Sequence, residues 1–467
     1  MKYHINKEQY TELRQVYTPL IPGSINLTAE EEIVDAYLTR LKKKADVLYR
    51  DGNPYGIIDW KDEDDIQNDL YEFCFNLPKG SDLHVHDNTM IPIDLLLDIL
   101  VKNTRISLDK DTFGFLYTKK SDRKDNTLDL EEAIEKGLFS IEELKERLTL
   151  SQEDAETGYW ASLEEIFTST GDLYNDMDLM ENIWEEGFLS CYERGILLVE
   201  IRDYYSVDDQ DNIRRDMAIR QAYYNVRKKH PDFLVRLIAC SGKEGSVPVQ
   251  EAFDALRSAI RISRIIKDEF DSDNVEDFII GLDLVNEEDV SKPISDYVDF
   301  FLSDEVSNSG LGLFLHCGES LRKDNNTVID AYMLRAKRAG HAMNLYRFPE
   351  LMERYVENKI AVEVCPLSNF RLGYVADMRL HPALQYLIHG LPVVICSDDG
   401  TFMSRQPLVD DFYAVILSWD LNLGDIKMIC RNSLEYSGLS QKEINRLRDC
   451  WQTQWSSFIE TMVRKIC

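Results

Sequence analysis

Long hydrophobic runs are missing: no stretch approaches about 18 uninterrupted apolar residues, the length a membrane-spanning helix requires. The opening MKYHINKEQYTELRQVY has no apolar core of the kind that marks a secretory leader. Cysteine occurs nine times, at positions 74, 191, 240, 317, 365, 396, 430, 450 and 467, with no CxxC pair and no regular framework. An odd, scattered set in a large chain reads as reduced thiols, so a cytoplasmic protein with no membrane segment is expected. Basic residues are also short, 53 Lys and Arg against 84 Asp and Glu, leaving a net charge of −31. Such a field opposes nucleic acid and anionic membrane as partners. It serves solubility first, and suits a neutral or locally cradled small molecule.

What is present is a soluble globular composition, 467 residues with 44% hydrophobic and 29% charged. Residues 1–75 read as a polar helical extension; TAEEEIVDAYLTRLKKKADVLYRDG has a Thr cap, apolar positions at helical spacing and a Gly stop. Its expected use is packing or dimerisation. The remainder, 76–467, carries an insertion at about 102–180. The first part of the insertion, to about 151, is rich in Lys and acids with few strand signals, and is expected to form short helices and loops.

Eight short apolar runs punctuate the larger part: SDLHVH at 81–86, ILLVEIR at 196–202, FLVRLIAC at 233–240, FIIGLDLV at 278–285, LGLFLHC at 311–317, AKRAGHA at 336–342, IAVEVCP at 360–366 and PVVICSDD at 392–399. Amphipathic helical patterns separate them. Alternation of this kind predicts an α/β fold with a parallel sheet covered on both faces, and eight strands are the number that closes a (β/α)8 TIM barrel. An open doubly wound sheet is the alternative.

Chemistry-bearing residues gather at the ends of these runs. His84 and His86 share one face of an extended strand, so both imidazoles can reach one ion. Asp283, His316, Glu319, His341, Glu363, Cys365, Asp398 and Asp399 end later runs. In a barrel the C-terminal strand ends converge, whereas an open sheet spreads them along a line. His84, His86, His316 and Asp398 would then supply three neutral nitrogens and one anionic oxygen, a donor set suited to one zinc ion per chain with a place left for water. Zinc brings the pKa of bound water toward about 7. Glu319 can reach the same cavity as a proton donor, with His341 and Asp399 left to orient the attacking oxygen and hold a substrate. Taken singly, each histidine could be a satisfied core group and Asp398-Asp399 a turn, but strands one, five, six and eight would all have to coincide.

The motifs PKGSDLHVHD, LHCGES, RAGHAMNL, EVCPLSN and CSDDG, in this order, resemble the adenosine deaminase family of metal-dependent amidohydrolases. The N-terminal extension, YWASLEEIF at 159–167 and the closing WQTQWSSFI resemble the adenosine deaminase-like growth factor subfamily, without its signal peptide or disulfide-bearing insertion. The resemblance implies zinc on His84, His86, His316 and Asp398, and a homodimer involving the N-terminal helices. It also implies protonation of purine N1 by Glu319, a water-steering role for His341 and a hydrogen bond from Asp399 on the N7 side. The expected reaction is hydrolytic deamination of adenosine or 2′-deoxyadenosine, a small-molecule purine nucleoside. Asp87 matches a position facing the ribose, and Trp160 and Glu164 lie where the subfamily closes its pocket over the sugar.

Asn286 stands where the family usually has a glycine whose backbone N–H approaches purine N3, so a side chain there either crowds the base or offers a new hydrogen bond. Cys317, replacing a usual alanine, is expected to pack away from the site. A modified or phosphorylated adenine compound is the alternative substrate, with Arg322 and Lys323 the nearest basic pair. A non-catalytic nucleoside-binding paralogue is the alternative of another class.

Overall fold

A computed structural model describes residues 21–49, 69–109, 112, 114–117, 126–150, 158–245, 247–270 and 277–467. The eight apolar runs form the strands β1 (Gly80–His86), β2 (Ile196–Tyr204), β3 (Leu234–Gly242), β4 (Ile279–Val285), β5 (Gly312–Cys317), β6 (Arg338–His341), β7 (Ala361–Val364) and β8 (Val393–Ile395). Neighbours pair in chain order and all pairs are parallel. Beyond β8 a parallel bridge between Val85 and Asp398 joins the last strand end to the first. Asp398 N–H donates to the His84 carbonyl (2.9 Å) and His86 N–H to the Asp398 carbonyl (3.3 Å), while Ser397 Oγ donates to Asp82 (2.5 Å). This closure makes a (β/α)8 barrel and disposes of the open sheet.

The strands are short and apolar because helices cover one face and the barrel interior fills the other, so nearly every strand residue is buried. The interior also holds buried charge. Arg338 donates to Glu363 and Glu200 (both 2.6 Å), and Arg202 donates to Glu363 (2.5 Å) and Asp283 (3.3 Å). Both guanidiniums also reach the Leu83 carbonyl. Breaking one member of such a buried network leaves its partner uncompensated, a loss of roughly 3–5 kcal/mol. The network thus ties β1, β2, β4, β6 and β7 together beneath the strand ends.

The helix Ala29–Tyr49 lays Val34, Leu38, Leu41 and Ala45 against the barrel's C-terminal helices. Glu31 accepts from Lys427 (2.5 Å) and Trp455 Nε1 (2.7 Å), and Lys42 donates to Asp420 (2.6 Å) and the Leu421 carbonyl (2.8 Å). Its apolar face is therefore covered within the chain. Most of residues 1–75 otherwise lies outside the described residues. The insertion contains the expected helices and also a three-stranded antiparallel sheet from Ile106–Asp109, Phe115–Tyr117 and Thr127–Asp129. Strands of three or four residues are too short for their alternation to stand out in a lysine-rich sequence.

Candidate active site

Closure brings the polar strand ends to one point. His84 Nε2 lies 3.0 Å from His316 Nε2 and 3.5 Å from Asp398 Oδ1, and His86 Nε2 lies 3.2 Å from the same oxygen. Gly340, opposite His316 in β5 and Glu363 in β7, makes room for them: a Cβ there would stand 3.2 Å from His84 Cε1 and 3.1 Å from His316 Cα. His341 and Asp398 hold left-handed backbone, at φ 59° and 56°. Such strain costs about 1–3 kcal/mol per residue and gathers where side chains must be aimed.

Hydrogen bonds fix how the rings face. His84 Nδ1 meets Glu363 and His316 Nδ1 meets Asp283, both at 2.7 Å, so each ring donates Nδ1–H to a carboxylate and turns its Nε2 lone pair inward. Two lone pairs then face each other at 3.0 Å beside the Asp398 carboxylate, an arrangement that a shared cation stabilises. The nitrogen and carboxylate donors fit zinc, and carboxylates behind the rings orient and strengthen imidazole ligands.

His84, His316, His341 and Asp398 offer ligand atoms within 4.8 Å of one another, and His86, Asp398 and Asp399 form a second such group. The quartet expected from sequence is thus divided between two groups sharing Asp398. His341 is set apart by a relay. Ala383 N–H donates to His381 Nδ1 (3.1 Å), leaving His381 Nε2–H for Asn369 Oδ1 (3.2 Å), and Asn369 Nδ2 donates to His341 Nδ1 (3.2 Å). His341 therefore carries its proton on Nε2, which points toward Asp398 Oδ2 at 3.8 Å. That tautomer presents a donor and not a ligand lone pair.

A cavity of about 460 Å³ opens beside these groups, large enough for a nucleoside-sized ligand. Glu319 lies in its wall, 3% exposed. Burial, with Asp398 and Glu288 nearby, pushes its carboxyl well above the usual range. Its Oε1 and Asp399 Oδ1 are buried without hydrogen-bond partners. Burial raises Asp399 to about 7, His86 pulling down against Asp398. Against the effect of burial, Asp399 and Asp398 raise His86 to about 9. Asp87, Trp160, Glu164 and Asn286 line the same cavity. Tyr174 donates to Asp87 Oδ1 (2.5 Å), and Trp160 Nε1 donates to the Tyr374 hydroxyl (2.9 Å).

With this geometry in view, likeness to known proteins is informative. A family model described as adenosine deaminase matches residues 257–453. Adenosine deaminase 2 of Dictyostelium discoideum is 26% identical over 98% of this chain and 87% of its own. Adenosine deaminase 2-A of Danio rerio is 28% identical over 94% of this chain and 90% of its own. The chain is thus similar to adenosine deaminases, by a family model over residues 257–453 and by relatives along nearly its whole length. Family members are hydrolases acting on the C–N bond of a 6-aminopurine. In fold, this chain superposes on an apo N6-methyl-AMP deaminase from Arabidopsis thaliana with a TM-score of 0.60 at 16% identity, covering 82% of this chain and 98% of that one.

Every site residue expected from sequence lies at or beside this cavity, but several partners were not assigned there. Asp283 and Glu363 stood out as strand-end acids without a role; the structure places them behind His316 and His84. Asn369 ends the EVCPLSN motif but was given no role, Tyr174, Tyr374 and His381 lie outside the motifs, and only the folded barrel sets the four against Asp87, Trp160 and His341. Cys317 is buried among core side chains and outside both cation-binding groups, as its alternation from His316 predicts. All nine cysteines are free thiols. Arg322 is exposed, bound to Asp324 (3.0 Å) and away from the cavity lining.

Proposed function

We propose that the protein is a zinc-dependent deaminase converting adenosine and 2′-deoxyadenosine, with water, to inosine and 2′-deoxyinosine plus ammonia. His84, His86, His316 and Asp398 would hold the zinc, which when bound supplies a Lewis acid that makes water nucleophilic at neutral pH. The observation that carries the reading is Glu319: a buried carboxyl in the cavity wall whose pKa burial raises well above the usual range, with Oε1 3.5 Å from His341 Nδ1 and not hydrogen-bonded. A neutral acid there donates its proton to purine N1 and makes C6 electrophilic. His341, with Nε2–H turned inward, steers the attacking oxygen. Asp399, tending toward the protonated form, donates to purine N7. Asp87, Trp160 and Glu164 take the sugar side.

A nucleoside suits the cavity better than a nucleotide. Its guanidinium groups are Arg202, bound to Glu363 and Asp283, and Arg215, bound to Asp203 (2.6 Å). No other arginine or lysine lines it among the described residues, His86 belongs to the proposed zinc site, and Asp87, Glu164 and Asp398 line it as well as the carboxyls of Glu319 and Asp399. A 5′-phosphate would enter against that field. The solved neighbour's name, N6-methyl-AMP deaminase, keeps a modified nucleotide as the second reading. The test is a panel of adenosine, deoxyadenosine, AMP and their N6-methyl forms offered to zinc-loaded protein, with ammonia release followed. Adenosine and deoxyadenosine should turn over fastest; preferred turnover of AMP or N6-methyl-AMP would select the second reading. Glu319→Gln should keep its zinc and lose about 10²–10⁴-fold in kcat. Activity near wild type would remove Glu319 from the chemistry.

A further inference from the structure

The wall of the cavity next to Glu319 holds a polar cluster that the reaction above does not use. Asn286, just after β4, has left-handed backbone at φ 90°, where a side chain is unfavourable and glycine is not. Its Oδ1 is buried without a partner, and so is Glu244 Oε2. Both crowd the space above Gly242: a Cβ on that glycine would run into Glu244 Oε2 and stand 2.9 Å from both Asn286 Oδ1 and the Tyr204 hydroxyl. Two acceptors facing one another repel. A 180° turn of the Asn286 amide would set Nδ2–H on the Glu244 side and Oδ1 away from it, and of the two side chains it is Asn286 that lines the cavity.

The barrel order decides which part of a purine meets that oxygen. With C6 over the cation-binding cluster and N1 against Glu319 after β5, the ring continues through C2 and N3 toward β4, while C5 and N7 face Asp399 after β8. The C2 edge therefore lies at Asn286. Adenine offers only C–H and the N3 lone pair there, neither of which satisfies an acceptor. A 2-amino group offers a donor. The local field acts in the same direction, because Glu164 and Glu244 are close enough to raise the former's pKa, with burial the larger cause.

We propose that Asn286 is a specificity-determining residue that makes the enzyme prefer a 2-amino-6-aminopurine nucleoside, converting 2,6-diaminopurine riboside to guanosine. This rests on the deaminase reading above. Water's oxygen bonds to C6, the C6–N6 bond breaks, and N6 leaves as ammonia with one water proton. The other proton is accounted for at N1, and the 2-amino group is untouched.

The experiment compares kcat/KM for 2,6-diaminopurine riboside and adenosine in the wild type, Asn286→Gly and Asn286→Asp, together with product inhibition by guanosine and inosine. One well-placed hydrogen bond predicts about a tenfold preference for the diamino substrate, and for guanosine over inosine, in the wild type. Glycine, suited to φ 90°, should abolish both preferences. Aspartate, which can only accept when ionised, should keep or increase them. Equal use of the two substrates by the wild type, or ratios that do not move in Asn286→Gly, would overturn the proposal while leaving deamination intact. Loss of the preference in Asn286→Asp would show that Asn286 acts as a donor and also overturn it. If neither nucleoside turns over in the wild type, the deaminase reading fails and this inference fails with it.

Discussion

At the scale of single residues, a proton's position separates His341 from the other imidazoles. Carboxylates behind His84 and His316 keep their Nε2 atoms free for a cation, whereas Asn369 reverses the tautomer of His341. Asn369→Asp would place an acceptor against His341 Nδ1, move its proton there and empty Nε2 of its donor. The expected result is a fall of about 10²–10⁴ in kcat with zinc content unchanged, comparable to other enzymes whose histidine is put in the wrong tautomer. Activity near wild type would show that the relay does not set the role of His341. The inward histidines were legible in the sequence because an alternating strand forces His84 and His86 onto one face. Asn369 and His381 were not legible. They act through hydrogen bonds between segments whose approach only the closed barrel determines.

At the scale of elements, the helix Tyr159–Thr170 and the turn Gly171–Asn175 bring the insertion to the cavity, through Trp160, Glu164, Phe167, Thr170, Gly171 and Tyr174. Trp160 is held by Tyr374 from the loop after β7, so barrel and insertion meet in the cavity wall. Trp160→Ala should raise KM for adenosine about tenfold and change kcat far less, because the contact proposed for the indole is with the sugar and away from the reacting carbon. Equal loss in kcat would instead place Trp160 in the chemistry. The eight barrel strands could be read from the sequence because each is a short apolar run, and six of the eight end in a reactive group. The small sheet at 106–129 could not, since its three strands carry too few residues for a period to emerge.

At the scale of the whole molecule, the N-terminal helix clasps the far end of the barrel through Glu31, whose carboxylate lies between Lys427 and Trp455. Burial opposes its ionisation, yet Lys427, the Thr28 N–H and Trp455 pull its pKa below 4.5. A lowered folded pKa means that the ionised clasp contributes its full stability above the unfolded value, about 4.5, and loses it as pH falls through the folded value. Glu31→Gln should therefore cost about 1.5–3 kcal/mol in denaturant unfolding at pH 7, with the difference shrinking below pH 4.5. A difference constant down to pH 3 would mean that the charge of Glu31 is not what stabilises the clasp. The charge balance, −31 overall, was legible at once, as was its opposition to anionic partners. Where the N-terminal helix would dock was not, because an amphipathic face specifies burial without specifying its partner. The central claim is that barrel closure assembles one zinc site that drives deamination. It is tested most directly by stripping the metal with a chelator, restoring zinc in steps and measuring ammonia release from adenosine against bound zinc. The account predicts loss of activity on stripping and linear recovery that saturates at one zinc per chain; full activity in the stripped protein, or none after zinc is restored, would contradict it.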